Sequence, residues 1–328
     1  MKHAVLPFYR VLRYLSRMDV VQRFIGQLVS ALITLFSIAL LTFILMKLIP
    51  GGPFDNEKKQ SAEVLAAQNA KHHLDLPAHE QFYLFMKDAV TKFDFGQSTK
   101  HPTQSVNDII RESLPVSIEL GIYALIVAVT LGISLGVLAA AKRGTWLDFS
   151  AMFAAISGVS LPSFMMAAIA ILIFSQYLQI LPAALWDAPE HRILPTLVLG
   201  LRPAAIIARL TRSSVLEVLY LDYVRTARAK GLHPLRVLFI HVLRNALVPV
   251  IAILGPMSAA ILTGSFIVEY VFSVPGLAAH YIDAVSNRDY NLIMGVTLLY
   301  AVFLVAINLL VDVIYGIVDP RMRKGMAS

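Results

Sequence analysis

The sequence predicts an all-α polytopic membrane protein with six transmembrane helices, and three observations carry that prediction. The 328 residues are 57% hydrophobic and only 15% charged, where soluble domains carry about 25% charged residues. Several uncharged runs reach the roughly 20 residues needed to cross a bilayer as a helix. Those runs are continuously apolar, whereas the strands of a membrane barrel alternate over about 10 residues.

The elements follow in order. Residues 1–23 form a basic segment whose FYRVLRYLSRM stretch is partly amphipathic and suits the membrane surface. Phe24–Met46 is the first apolar run, within a first helix assigned to 24–50. It exceeds a signal-peptide core of about 7–15 residues and no small-residue cleavage site follows, so it is expected to be retained. Residues 51–113 are polar enough to be aqueous. SAEVLAAQNAKHH and AHEQFYLFMKDAVTK have helical spacing, with Pro77 between them, so a small folded outer lobe is expected. Val106–Ile110 leads into the second span.

The transmembrane core, 114–317, holds the remaining runs: Gly121–Ala141, Phe149–Tyr177, Ile193–Ala208 (interrupted by Arg202), Asn245–Val268 and Tyr290–Val311. Residues 318–328 are a basic tail.

Basic residues set the orientation. Segments 1–23, 141–148, 209–244 and 318–328 hold seventeen Lys/Arg, and the alternate segments 51–113, 176–193 and 273–290 hold nine. Seven of those nine lie in the long 51–113 segment, which crosses a membrane largely regardless of charge. Both termini are therefore expected in the cytoplasm.

Cysteine is absent, which excludes disulfides, thiol catalysis and cysteine-ligated metals. No G-x-x-x-x-G-K-[ST], G-x-S-x-G or H-E-x-x-H occurs, so the chain carries no phosphate-cradling loop and no catalytic residue is assigned. His72, His73 and His79 lack a carboxylate–histidine pattern of known metal spacing and are read as solvated helix faces. No metal site is expected.

One stretch stands out. DYVRTARAKGLHPLRVLFIHVLRNALVPV, 222–250, places Arg225, Arg228, Lys230, Arg236 and Arg244 between two apolar runs. The fourth helix is expected to continue past the membrane to Lys230. Gly231 supplies a left-handed C-cap and Pro234 suits the first turn of a new helix. Helical spacing over about 234–245 sets Leu235, Leu238, Phe239 and Val242 on one face. A positive-inside loop explains the charge but not this two-helix pattern. Nucleic-acid binding fits poorly for an element held at a membrane. A docking helix for a partner's groove fits best.

TARAKG at Thr226–Gly231 resembles the E-A-A-x-x-x-G loop of permease subunits of binding-protein-dependent ABC importers. Thr226 and Ala227 stand at the two alanines, Gly231 at the glycine and Arg225 where glutamate is general, as in the peptide/nickel branch. LIPGGPFD, LDLPAHEQF, FDFGQS, LPVSIELG, GVSLPSF, ILPTLVL, GSFIVEYVFSVPGL, NRDYNLIMG and VDVIYGIVDPRMR also resemble that branch, in order along nearly the whole chain. GGPFD with a long outer lobe is most similar to the B-type permease of oligopeptide importers.

The resemblance implies a type I importer fold in a bacterial inner membrane and an oligopeptide substrate, with dipeptide, nickel or glutathione as alternatives. It implies a homologous second permease subunit, one or two cytoplasmic ABC ATPases that bind ATP and Mg, and an external peptide-binding protein. No cofactor is implied in this chain. Loop 213–245 becomes the coupling element. Within it Arg225, Arg228 and Arg236 meet the ATPase, Leu235, Leu238 and Phe239 fill its groove, and Gly231 shapes the turn.

Charged residues inside spans mark passages or partners. Arg202 lines the passage or satisfies a structural partner. Glu269 pairs structurally or touches substrate. Pro162 kinks the third span. Lys47 is expected to snorkel to the outer interface. From another class, an ion-gradient-driven secondary carrier is the alternative, although no repeat relates the first three spans to the second three.

Overall fold

The computed structural model describes residues 5–54, 61–101, 103–262 and 265–318; side chains of 5–24, 62 and 311–318 are left aside. Residues 1–4 of the basic N-terminal segment and the tail 319–328 lie outside the described residues.

The described chain is helical, in the order α1 Val5–Leu48, α2 Ala62–Lys71, α3 Ala78–Thr91, α4 Val106–Ala141, α5 Trp146–Ser160 and α6 Ser163–Tyr177. There follow α7 Ile193–Leu219, α8 Asp222–Ala229, α9 Pro234–Ala246, α10 Val248–Leu262, α11 Phe266–Val271, α12 Leu277–Asn287 and α13 Tyr290–Val318.

Four stretches are single helices long and apolar enough to span: Ile25–Leu48, Val106–Ala141, Pro189–Leu219 and Tyr290–Leu310. The other two predicted spans are bent pairs. α5 and α6 turn by 113° at Leu161–Pro162, and α9 and α10 by 52° at Leu247. Each pair counts as one span if taken together, which gives six. The sequence showed the apolarity of these runs. The breaks come from Pro162, which begins α6 without an amide to donate, and from Pro249 just inside α10.

α4 and α7 form the centre, and small residues bring them together. Ala124, Ala128, Gly132, Gly136 and Ala140 recur every fourth residue on α4, and all are buried. Gly200, Ala204 and Ala208 do the same on α7. Such stripes let spanning helices approach backbone to backbone, the main source of packing where lipid is as apolar as leucine. α1 lies at the edge, with most of the apolar side chains of 25–48 exposed, as a lipid-facing helix requires.

The lobe is fixed to one end of this bundle. Ser105 starts α4 with a capping box: its Oγ accepts from the Asp108 amide (3.1 Å) and Asp108 Oδ2 accepts from the Ser105 amide (3.0 Å). Lys47 Nζ donates to Gln81 Oε1 at 2.7 Å, so α1 is tied to α3. Asn291 donates to the Gln97 carbonyl and Tyr290 to the Gly51 carbonyl. Buried Asp289 accepts from the Ser98 hydroxyl and from the Leu292 amide at the start of α13. Lys47 therefore has a defined partner in the lobe besides any reach to the interface. His72 faces the Phe54 ring at 5.7 Å, and exposed His79 lies beside Glu80. Among the described residues no cluster of three metal-ligating side chains forms.

Candidate functional site

At the end of α4 and α7 away from the lobe, the chain folds α8 and α9 into a two-helix element. α8 begins after extended Leu221, with Asp222 in its first turn. It ends in a Schellman-type cap, in which the Gly231 amide donates to Arg228 O (2.9 Å) and the Leu232 amide to Ala227 O (3.4 Å). Gly231 has φ +77°, a conformation that favours glycine. Pro234 then occupies the first turn of α9. Capping glycine, turn and proline fall where the spacing placed them, but the fourth helix does not run on to Lys230: α7 ends at Leu219 and extended Leu221 separates it from α8.

The element is buttressed. Val224 and Ala227 of α8 and Val237, Val242, Leu243 and Ala246 of α9 form one buried cluster with Ala140 of α4 and Val215 of α7. Asn245 Nδ2 donates to Tyr223 OH at 2.7 Å and Arg143 to Tyr220 OH at 2.9 Å. Close by, Arg212 of α7 makes a bidentate pair with buried Asp148 of α5 at 2.6 and 2.8 Å. Asp148 Oδ2 also accepts from the Gly144 amide. A displacement of α8–α9 is therefore transmitted to α4, α5 and α7 as a body, not absorbed by a loose loop.

The predicted apolar face of α9 is divided. Leu235 and Phe239 are exposed, but Leu238 packs against the chain's own cluster and Val242 is fully buried. The cause is the π-helical turn at Val237–Val242, whose i→i+5 bonding shifts the phase of the residues that follow. Ile240 is exposed beside Phe239, a position that α-helical spacing did not single out. Arg225, Thr226, Arg228, Lys230, Arg236 and Arg244 are exposed, and Ala227 is buried. Arg225 makes one loose contact, 3.7 Å to Asp222. The surface offered at this end is thus a basic rim around Leu235, Phe239 and Ile240, on a rigid support.

The three residues singled out within spans lie in three different settings. Arg202 sits on an exposed face of α7 with no ion pair among the described residues. Pro162 caps α6 at the 113° bend. Glu269 is fully buried: its Oε2 accepts from the Ala278 amide (2.9 Å) and the Ser117 hydroxyl (3.2 Å), and joins α11 to α12 and α4. It faces the chain's own interior.

Two ion pairs were not read from the sequence as pairs, Asp148–Arg212 and Glu119–Arg192. Each joins residues more than sixty positions apart, and no spacing rule reaches so far.

Known proteins resemble this chain along most of its length. The family model described as "binding-protein-dependent transport system inner membrane component" matches residues 132–324. A dipeptide transport system permease protein of Bacillus subtilis is 47% identical over 88% of this chain and 94% of its own length. Oligopeptide transport system permease proteins of Haemophilus influenzae and Escherichia coli K12 are 42% and 40% identical over 90% of this chain, and 97% and 96% of theirs. Among solved structures, an inward-facing methionine ABC transporter matches 64% of this chain and 96% of its own, with TM-score 0.54 at 17% identity, a likeness of fold alone. The chain is a multi-pass membrane protein and belongs to the family of binding-protein-dependent transport system inner membrane components.

Proposed function

We propose that this chain is one of two membrane-spanning permease subunits of an ATP-driven peptide importer in a bacterial inner membrane, with both termini cytoplasmic. A homologous subunit completes the passage. An external peptide-binding protein delivers substrate on the lobe side. One or two cytoplasmic ABC ATPases, which hold ATP and Mg, dock on the α8–α9 side. The 51–113 lobe, the 114–317 core and the 213–245 coupling loop are the working parts of this reading.

The observation that carries it is the α8–α9 element, whose inner face is locked to α4 and α7 while its outer face presents Arg225, Arg228, Arg236, Leu235 and Phe239 to a partner. Closure of an ATPase pair pushes such an element as a rod, and the bent pairs α5–α6 and α9–α10 give the bundle places to repack. Thr226 and Ala227 hold α8 in shape: Thr226 Oγ1 donates to Asp222 O at 3.0 Å and Ala227 lies in the buried cluster. Exposed Arg202, without an ion pair among the described residues, and the bend at Pro162 are the parts of the spans suited to the passage. Glu269 serves as an internal support.

The names of the relatives support peptide as the substrate. The names of the oligopeptide permeases support oligopeptides as the first reading, and the 47% identity to a dipeptide permease supports dipeptides as the second. An ion-gradient carrier finds no support beside relatives of that kind.

Purification of the tagged chain from its native membrane in mild detergent, followed by mass spectrometry, tests the assembly. A second six-span protein with one or two P-loop ATPases is expected. Recovery of the chain alone, still competent for ion-driven uptake after reconstitution, would overturn the proposal. Competition of labelled dipeptide uptake by tripeptides and pentapeptides then decides the substrate length.

A further inference from the structure

Charge is sparse on the spanning part of α4 and the first half of α7, where it amounts to exposed Arg202 and one ion pair. From 120 to 141, α4 carries no Asp, Glu, Lys or Arg, and Glu119 stands just before that run. Arg192, at the start of α7, brings its Nε to 3.4 Å from Glu119 Oε1, and both side chains are about one-third exposed. The pair is incomplete. Among the described residues, Arg192 Nε has no hydrogen-bond partner, and neither do the buried Trp186 Nε1 and Thr196 Oγ1 beside it. The guanidinium rests 5.5 Å over the Trp186 ring.

The Asp148–Arg212 pair of the same protein shows what a structural strut looks like here: bidentate, with the acid buried and further bonded to a backbone amide. Glu119–Arg192 has none of these features. It lies instead between two open apolar grooves that share Tyr123. One, of about 310 Å³, is bordered by Arg192, Thr196 and Ile126. The other, of about 470 Å³, is bordered by Glu119, Pro115 and Ile122. Each groove therefore carries one charge, and the two charges are opposite.

We propose that Glu119 and Arg192 form a substrate subsite that reads the free ends of a peptide, Arg192 taking the carboxylate and Glu119 the ammonium. The inference rests on the peptide-importer reading and deepens it. A zwitterionic peptide replaces one loose ion pair with two new ones. The protein's charges are never left bare, and the exchange is close to balanced in either direction. A passage needs that property, because a deep trap would hold its cargo. The grooves offer almost no polar surface to side chains, so side-chain identity is tolerated while the charged ends are read. In an extended peptide each residue adds about 3.3–3.6 Å, so a dipeptide reaches both charges at once and a longer chain uses them in succession.

The test uses the whole transporter, reconstituted in liposomes with its partner permease, ATPases and binding protein, and a photo-crosslinking amino acid at Ile126. Illumination during turnover with a radiolabelled tripeptide is expected to attach the label to this chain. Glu119→Gln and Arg192→Gln are expected to lower peptide captured per ATP hydrolysed by about ten-fold or more, the loss of one charge-assisted hydrogen bond. Co-elution of all subunits controls for assembly. The double variant Glu119→Arg with Arg192→Glu keeps a pair but reverses its polarity, and is expected to stay impaired. Recovery of full transport by that swap would make the pair a strut and overturn the proposal. So would capture of lipid or of the partner permease without peptide. A wild-type complex that accumulates no peptide, although its binding protein holds one, would sink the importer reading itself.

Discussion

Gly136 of α4 and Thr211 of α7 stand so close that a Cβ built on the glycine would lie 2.6 Å from the Thr211 Cβ and from the Ala208 carbonyl oxygen. Gly132 is as tightly placed, 2.6 Å from the Ile207 Cβ, and Gly200 would meet the Ala124 carbonyl at 2.8 Å. Backbone and β-branched side chains cannot yield as a flexible side chain would. Gly136→Ala is therefore expected to destabilise the protein by about 1–3 kcal/mol through overpacking, and Gly136→Leu to prevent assembly. Gly26 in α1 has nothing within 4 Å of its would-be Cβ, so Gly26→Ala is expected to be neutral or stabilising, as alanine favours a helix by about 1 kcal/mol. Thermal unfolding in one detergent, followed by size-exclusion of the remaining monodisperse protein, checks the contrast. Equal loss in Gly136→Ala and Gly26→Ala would show that the α4–α7 contact is looser than described.

The division of the α9 face separates two substitutions that helical spacing treats alike. Phe239→Asp alters an exposed side chain and is expected to leave the protein folded while ATP hydrolysis proceeds without uptake. Leu238→Asp places a charge against the cluster of Val224, Val237 and Val242, and is expected to lower the yield of folded protein as well. Gly231→Ala meets no atom within 4 Å but must hold φ +77°, at a cost of about 1–2 kcal/mol; Gly231→Asn is expected to cost less. The ratio of peptide transported to ATP hydrolysed, measured beside yield, separates these cases. A Phe239→Asp variant with a wild-type ratio would remove Phe239 from the docking surface.

The same comparison shows what the sequence holds. Apolar run length found the four single-helix spans and the two bent pairs, because the hydrocarbon thickness sets a minimum length. Gly231 and Pro234 placed the α8–α9 turn, since each restricts its own backbone. The every-fourth-residue stripe of Ala124, Ala128, Gly132, Gly136 and Ala140 was present to be read, but composition alone hid it among other apolar residues. The 113° bend is different: Pro162 announces a break, but its angle depends on what α5 and α6 pack against. The π turn at Val237–Val242 has no residue signature, so the phase of α9 was beyond reach. Nor could spacing join Glu119 to Arg192 or Ser117 to Glu269, because those pairings exist only once helices distant in sequence have packed.

Glu269 accepts from the Ala278 amide at the start of α12, while Ser117 Oγ both donates to Glu269 and accepts from the Leu277 amide. One carboxylate oxygen thus holds three helices. Glu269→Gln retains an acceptor for the Ala278 amide and is expected to cost little. Glu269→Leu strands that amide and the Ser117 hydroxyl, at about 1–3 kcal/mol for each buried group left unsatisfied. Gly276→Ala would drive a Cβ to 2.2 Å from Glu269 Oε2 and is expected to resemble Glu269→Leu. Hydrogen exchange over 266–287 should accelerate in the leucine and alanine variants and not in Glu269→Gln. If all three behaved alike, the support would come from packing and not from these hydrogen bonds.

Acid should loosen the lobe end of the molecule before the rest. His72 is half-buried against Phe54, and burial with the neighbouring Lys71 charge holds its imidazole below the ordinary value of 6.5. Burial, with His101 adding to it, does the same to His280 in α12, against the opposing pull of Asp283 and Glu112. An unfolded histidine takes up its proton near pH 6.5, and these two resist doing so in the folded state. The unfolded chain therefore binds more protons as pH falls through 6.5, and folding stability declines from there until the folded imidazoles also charge. Above pH 6.5 both states are neutral and the effect vanishes. Hydrogen exchange of 62–91 and 277–287 is expected to quicken between pH 7.5 and 5.5, after correction for intrinsic rates, relative to the α4–α7 contact. His72→Gln and His280→Gln together should flatten that difference, because neither glutamine titrates. A pH dependence unchanged in the double variant would assign it to other groups of the lobe.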